Sequence, residues 1–511
     1  LLLEINSGIG GSSIGEIQIG GTLSTTSNTL KLLNRGAGQR INLLSSAVLN
    51  SGTGTSSHIY LTADDLNVET GLTTTGYSVY IYPWSNNVDI GIGGGTGSLN
   101  ITESELNSFS LTNDVSIYSN NGGDINIGSY TSTNSSNFYR FQSNESLTLT
   151  SDITTANSTI YFAIDQNENS ADTLTINGSI SSRALSLYGC GFGCTTKDDT
   201  LILPDATNTV SINGASSDDT SFASLVSADI TLSVASSSTV YRFNNITGGT
   251  GNDAFVMDYS GAPTVTPSIG GVLDGGNGID TLSYSNNTTG VIFNFPSNTA
   301  TDIGSMANIE NYIGGTGIDQ FLMGDTNIPG SFDGGAGVDI LSYATRTDSS
   351  TIALTNSNLI SVESFIGSAW NETFSFWDHS GIADFSIGAF DGGLGADSIR
   401  VNAGVVNIAA TPTNLENIVI LTTGELTGSA PITADIGIFG TAGKLSTSGL
   451  ITGDVTNQGG IVAPGGTGAI GTISIQGAYT QTSGVLELEA NGTGTAGTDY
   501  DYLNVDTAAG T

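Results

Sequence analysis

Cysteine is almost absent from this 511-residue chain: only Cys190 and Cys194 occur, in the phrase Cys-Gly-Phe-Gly-Cys. Histidine is as scarce, with His58 and His379 alone. A zinc centre needs more soft ligands than these provide, and a Ser-His-Asp site has little to draw on. A local disulfide closing the glycine-rich loop is the favoured reading, and it implies an oxidising, extracellular setting. Two free thiols are the alternative. Cations are few: ten Lys and Arg face 47 Asp and Glu, for a net charge of −37. That balance excludes nucleic acid as a partner, because phosphates need a basic footprint. It excludes a bare anionic membrane for the same reason. No run of 18 apolar residues exists to form a membrane helix. Neither a P-loop nor a Gly-x-Ser-x-Gly elbow leading from strand to helix is present. The Gly-His-Gly and Arg-x-Lys phrases of pectinase-like enzymes are missing too. The paired acids Asp64-Asp65, Asp198-Asp199 and Asp218-Asp219 read as turn residues rather than as an acid and base on a glycoside. The chain opens at Leu1 without a basic or apolar leader, as expected of a trimmed piece of a longer precursor.

Glycine is abundant, at 70 residues, about twice the usual share. Ile, Val and Thr are plentiful, with Ser and Asn between them. Short alternating pairs recur along residues 1–245: Leu66/Val68, Val79/Ile81, Ile90/Ile92, Leu99/Ile101, Val115/Ile117, Ile125/Ile127, Leu147/Leu149, Ile160/Phe162 and Leu174/Ile176. Period-2 alternation broken by turn residues means an all-β chain. A sandwich would stop after a handful of strands. This pattern continues for hundreds of residues, so a right-handed parallel β-helix, a β-solenoid of roughly 20–25 residues per coil, is expected.

The middle of the chain repeats Gly-Gly-x-Gly-x-Asp five times, at Gly248–Asp253, Gly275–Asp280, Gly314–Asp319, Gly334–Asp339 and Gly392–Asp397. Three copies have an Asp just before the glycines: Asp274, Asp333 and Asp391. The carboxylates can bind a hard cation such as calcium or cap the turn as Asx residues. Counted in nonapeptides, Asp319 and Asp339 are spaced to share an ion, with Asp333 beside them. By the same count Asp253 and Asp280 fall on opposite sides of the coil; with Asp274, Asp391 and Asp397 they complete the set of candidate calcium ligands.

Three family resemblances follow from particular phrases. Leu61-Thr-Ala-Asp-Asp-Leu66, Val88-Asp-Ile-Gly91, Ser98–Leu106 and Gly123-Asp-Ile-Asn-Ile-Gly128 resemble repeats of filamentous-haemagglutinin-like exoproteins. The run Leu273–Tyr284 with Asn308–Gly315 is similar to haemolysin-type calcium-binding (RTX) repeats. Gly459–Gly466, Ile473–Gln481, Leu486–Glu489 and Tyr500–Val505 resemble the C-terminal end of autotransporter passengers. These imply three regions: a haemagglutinin-like β-helix (1–245), a solenoid block with a β-roll-like character (246–425) and terminal passenger-like coils (426–511). They imply type V export to the bacterial surface, calcium in the middle block, and a non-enzymatic adhesin-like or structural role. Partners would be surface glycans or proteins of a host or neighbouring cell, or further copies of the chain in a filament or sheath. The other class to weigh is an enzyme acting on extracellular polysaccharide. The aromatic group Trp370, Phe374, Phe376 and Trp377 reads chiefly as rings burying one another.

If Cys190 and Cys194 are joined, thiol titration of the unfolded, unreduced chain finds no reactive thiol. Two titratable thiols would reject the pairing.

Overall fold

The computed structural model describes residues 2–506 apart from 7–14, 26–27, 110, 112, 120–121, 133–137, 165–170, 190–198, 217–218, 228–231, 235–238, 242, 260–265, 356 and 378–384. Cys190, Cys194 and His379 therefore lie outside the described residues. Two compact units are present. One comprises residues 1–282 with 302–309, the other residues 283–301 with 310–511. Both are parallel β-solenoids. The one α-helix among the described residues, Glu103–Asn107, is a single turn closed by a Thr102/Glu105 capping box.

In the first unit the strands Thr29–Arg35, His58–Thr62, Ser78–Tyr82, Asp114–Tyr118, Phe138–Gln142, Ile153–Ala163 and Ile180–Tyr188 stack in that order as one parallel sheet wall. Their alternation sets what faces inward. Leu30, Ile59, Val79, Val115, Tyr139, Ile160 and Leu185 are register partners in one column, all buried. A second wall gives the column Ile90, Ile125, Leu147, Leu174, Leu201, Ile246, Leu273 and Met306. The alternating pairs read from the sequence all point into this core. β-Branched and aromatic side chains fit such walls because each packs on the same position of the coils above and below.

The second unit repeats the arrangement with larger rings. Phe293, Phe321, Leu341, Phe365 and Phe390 form one column. Phe293 and Phe321 stack at 5.0 Å, and Phe321 and Phe332 at 4.5 Å. Ile352, Phe374, Ile399, Ile418, Ile436 and Val455 form another. Phe374 and Phe376 are buried here, while Trp370 and Trp377 are 49 % and 44 % exposed. Of the expected aromatic cluster the two phenylalanines are enclosed, whereas Trp377 at the end of the strand Glu372–Trp377 and Trp370 before it are open to solvent.

Register steps give the coil length. Ile292, Gln320, Ile340, Ser364 and Ala389 pair in turn, at steps of 28, 20, 24 and 25 residues. Ser186 pairs with Thr239, a step of 53 that contains the antiparallel hairpin Asn208–Ser216/Asp219–Ser227. Each glycine phrase occupies one corner of one coil. The nonapeptide count is corrected by this: Asp253 and Asp280 stand on neighbouring coils at the same corner, because 27 residues make one complete coil. The ladders also run without a break through the expected boundaries near 245 and 425, as in Thr200–Ile202 with Asn245–Thr247 and in the strand Asn417–Gly428.

Phe321 is stacked against Phe293 within the column and against Phe332 of the strand Ser331–Asp333 outside it, with no exposed surface. Phe321→Ala is expected to destabilise the chain by about 3–5 kcal/mol, read from the denaturant midpoint. A loss below about 1 kcal/mol would mean the column is not packed as described.

Candidate functional site

The eight aspartates singled out in the sequence fall into two sets with different work. The closing residues Asp253, Asp280, Asp319, Asp339 and Asp397 are buried, at 0–1 % exposure. Their carboxylates point into the coil corner and accept backbone N–H groups from the preceding coil. Asn208 N–H donates to Asp253 Oδ1 at 2.6 Å, and Asp253 N–H to Asp280 Oδ1 at 2.6 Å. In the second unit Val291 N–H donates to Asp319 Oδ1, and Asp319 N–H to Asp339 Oδ1, each at 2.7 Å. Asp339 N–H donates to Glu363 Oε2 at 3.1 Å. Glu372 N–H donates to Asp397 Oδ1 at 2.7 Å, and Asp397 N–H to Glu416 Oε2 at 2.6 Å. Coil by coil, a carboxylate ladder runs up the corner.

Glu372 belongs to the degraded copy Asn371–Phe376, which lacks the glycines. It keeps the ladder position. Its longer side chain reaches Ser368 N–H at 3.0 Å and Ser368 Oγ at 2.6 Å.

The preceding residues Asp274, Asp333 and Asp391 are half-buried or exposed. Each caps its own turn, accepting from Gly276, Gly335 or Gly393 N–H at 3.0–3.1 Å. The capped turns hold that glycine at φ of 88–92°, a conformation that side-chain-bearing residues rarely adopt. Where no Asp precedes, the same N–H turns inward. Gly249 donates to Asp253 Oδ2 at 2.9 Å, and Gly315 to Asp319 Oδ2 at 2.5 Å. A cap therefore takes a donor from the closing carboxylate. Asp339 Oδ2 and Asp397 Oδ2 are buried without a hydrogen-bond partner.

Acidity follows from this geometry. Burial raises Asp253 and Asp319, opposed by the N–H bonds they receive. Asp339, short of one donor, is pushed up to about 7 by burial, with Asp319, Glu363 and Asp333 adding like charge. Asp397 is pushed up to about 6 by burial and by Glu372 and Glu416.

The structure brings Asp319 and Asp339 together on adjacent coils, as the spacing suggested. The surroundings do not fit calcium, which takes carboxylate and carbonyl oxygens. Both oxygens of Asp319 face N–H donors, and the ladder carboxylates follow one another instead of converging. Among the described residues no three His, Cys, Asp or Glu side chains meet as a metal centre. The paired acids diverge as well. Asp64 is held by the N–H groups of Gly38, Trp84 and Ser85 and the Ser85 hydroxyl, whereas Asp65 pairs with Arg40 at 2.6 Å.

A second feature escaped the sequence reading. The outward side of the sheet wall Thr29–Arg35 to Ile180–Tyr188 carries tyrosines one step out of phase with the buried column. Tyr60 and Tyr80 stack at 5.0 Å, Tyr82 and Tyr118 at 5.0 Å, and Tyr161 and Tyr188 at 4.7 Å. Cations sit on the rings: Lys31 over Tyr60 at 4.9 Å, Arg140 over Phe138 and Tyr161 at 5.0 and 5.2 Å, Arg183 over Phe138 at 6.0 Å. At the margin Arg35 lies over Trp84 at 5.2 Å. Burial lifts the phenols of Tyr80, Tyr82 and Tyr118, and pushes Tyr161 up to about 12, so they stay protonated donors near neutral pH. The signal lay in plain view as His58-Ile-Tyr-Leu61 and Ser78-Val-Tyr-Ile-Tyr82, where aromatics alternate with the inward residues.

The raised acidity of Asp339 gives a signed test. Its unfolded value is about 4, so between pH 4 and 7 the folded chain holds a proton that the unfolded chain has released. That contribution is complete below about pH 4 and is lost as pH rises through about 7. Asp339→Asn is expected to gain melting temperature relative to the parent as pH goes from 4 to 8. A difference independent of pH would refute the assignment. Repeating the melts in EDTA and in calcium separates this hydrogen-bonded role from an ion-holding one: the geometry favours no shift.

No family model, no curated protein and no solved structure matches the chain.

Proposed function

We propose that the chain is a non-enzymatic solenoid of the bacterial cell surface, exported by a type V route, whose role is adhesin-like. The observation that carries this reading is the outward aromatic wall of the first unit. It concentrates rings and cations on one lateral surface of a strongly acidic chain. Partially buried tyrosines suit recognition, offering contact area at small entropic loss. The export route rests on the autotransporter-like phrases between Gly459 and Val505, and the placement at the surface rests on them too.

Self-association into a filament is the second reading. Its support is a set of exposed apolar residues on the glycine corners of the second unit, Ile318, Val338 and Leu394. Light scattering over a concentration series distinguishes the two, since a filament subunit grows with concentration and a lateral adhesin does not. The polysaccharide-degrading alternative has no comparable observation: of its candidate acids, Asp64 and Asp199 are engaged by backbone donors and Asp65 by Arg40.

Beads coated with the full chain are expected to adhere to cell surfaces, and beads carrying Tyr80→Ser with Tyr118→Ser to adhere several-fold less, by the usual weight of aromatic contacts in an interface. Equal adherence of coated and uncoated beads would remove the adhesin reading.

A further inference from the structure

The geometry points to an acidic polysaccharide, a sugar polymer bearing repeated carboxylate or sulfate groups, lying along the tyrosine wall of the first unit with Lys31, Arg140 and Arg183 as its anion contacts. This rests on the adhesin reading and names the ligand class.

The charge census of the wall is the starting point. The outward positions of the strands Thr29–Arg35, His58–Thr62, Ser78–Tyr82, Asp114–Tyr118, Phe138–Gln142, Ile153–Ala163 and Ile180–Tyr188 include Lys31, Arg35, Arg140 and Arg183. The only acid among their described outward side chains is Asp114, buried and paired with Arg140 at 3.4 Å. In the whole chain acids outnumber cations 47 to ten, so this wall reverses the prevailing sign. At physiological salt the screening length is about 8 Å. A ligand on the wall therefore feels these cations more than the distant acids.

The spacing suits a polymer. Parallel strands lie about 4.8 Å apart, so Lys31 and Arg140 are separated by roughly 19 Å and Arg140 and Arg183 by roughly 10 Å across the wall. One small anion cannot bridge them, whereas a chain with a charge on each sugar can. Lys31 and Arg183 are exposed. A guanidinium donates two parallel hydrogen bonds to a carboxylate or sulfate. Between the cations stand the phenol hydroxyls of Tyr60, Tyr80, Tyr82 and Tyr118, donors and acceptors for sugar hydroxyls.

Ring orientation argues against single-stranded nucleic acid, the other polyanion. Such ligands need open aromatic faces for their bases. Here the faces are occupied by each other, at interplanar angles of 15° for Tyr60/Tyr80 and 13° for Tyr82/Tyr118. Lys31 covers Tyr60 and Arg140 covers Tyr161. What faces outward is edges, hydroxyls and charge.

The test is calorimetric titration of the full chain with polygalacturonate, heparin, dextran and poly(dT). Binding to polygalacturonate or heparin, weakened by salt, is expected, and the stronger of the two identifies the anion as carboxylate or sulfate. Lys31→Gln with Arg183→Gln should weaken it about tenfold, as removal of two steering charges does. Both side chains are exposed, so an unchanged melting temperature confirms that the fold is intact. Dextran binding as tightly as the acidic polymers, preference for poly(dT), no binding to either acidic polymer, or an unaffected double variant would each overturn the assignment. Beads that adhere while no acidic polymer binds would refute this inference and leave the adhesin reading standing. Acidic polymers that bind while beads fail to adhere would do the reverse.

Discussion

A carboxylate enclosed in a coil corner must be met by N–H donors, and the neighbouring coil is where those donors come from. Desolvating an unpaired carboxylate is expensive, while bonds to a charged acceptor are about twice as strong as neutral ones. Each closing Asp therefore fixes the corner of one coil against the next: Asp253 on Asp280, Asp319 on Asp339. The first glycine of each phrase exists to make room for this. A Cβ on Gly334 would stand 2.1 Å from the Ser361 carbonyl and 2.5 Å from Asp339 Oδ2. An N–H donor and a cation compete for the same carboxylate oxygen, and at Asp319 both oxygens are taken by N–H groups.

Buried acids and wall cations are sheltered by different means. The acids most deeply placed are at glycine corners, where backbone dipoles neutralise them. Lys31, Arg35, Arg140 and Arg183 lie on rings, where π faces and aliphatic stems shelter them. The chain thus handles its excess of acid in two ways, by hydrogen bonding inside and by exposure to water outside, and leaves one lateral surface where neither applies.

Much of the fold was legible because a solenoid has few independent rules. Ile-x-Ile pairs fixed the inward columns, and glycine phrases marked corners. The reading failed where the unit of counting was wrong. A nonapeptide scheme placed Asp253 and Asp280 on opposite sides, while a coil of 27 residues places them together. It also treated all Asp-closed turns alike. Whether Thr247 or Asp274 stands before the glycines decides where one N–H points, and that is visible only once the turn is built. Glu372 escaped the motif because Ser368 and Trp370 stand where two of its glycines would, yet the first glycine survives as Gly367 and the longer acid reaches the Ser368 N–H. The tyrosine wall was missed because attention rested on the apolar phase of each strand and passed over the residue beside it.

Coil length varies from about twenty residues to the 53 between Ser186 and Thr239, and the register on either side is kept. Closure entropy grows only with the logarithm of length, so stretching a coil that far costs about 0.9 kcal/mol. The loss is smaller than one buried methyl pair contributes in the columns. Length is consequently free to vary between the ladders: the edge strand Asp219–Ser227 is added outside Asn208–Ser216, which keeps its own place in the parallel ladder with Ala254–Met257. In such a solenoid, variation would gather in added segments of this kind while the walls persist.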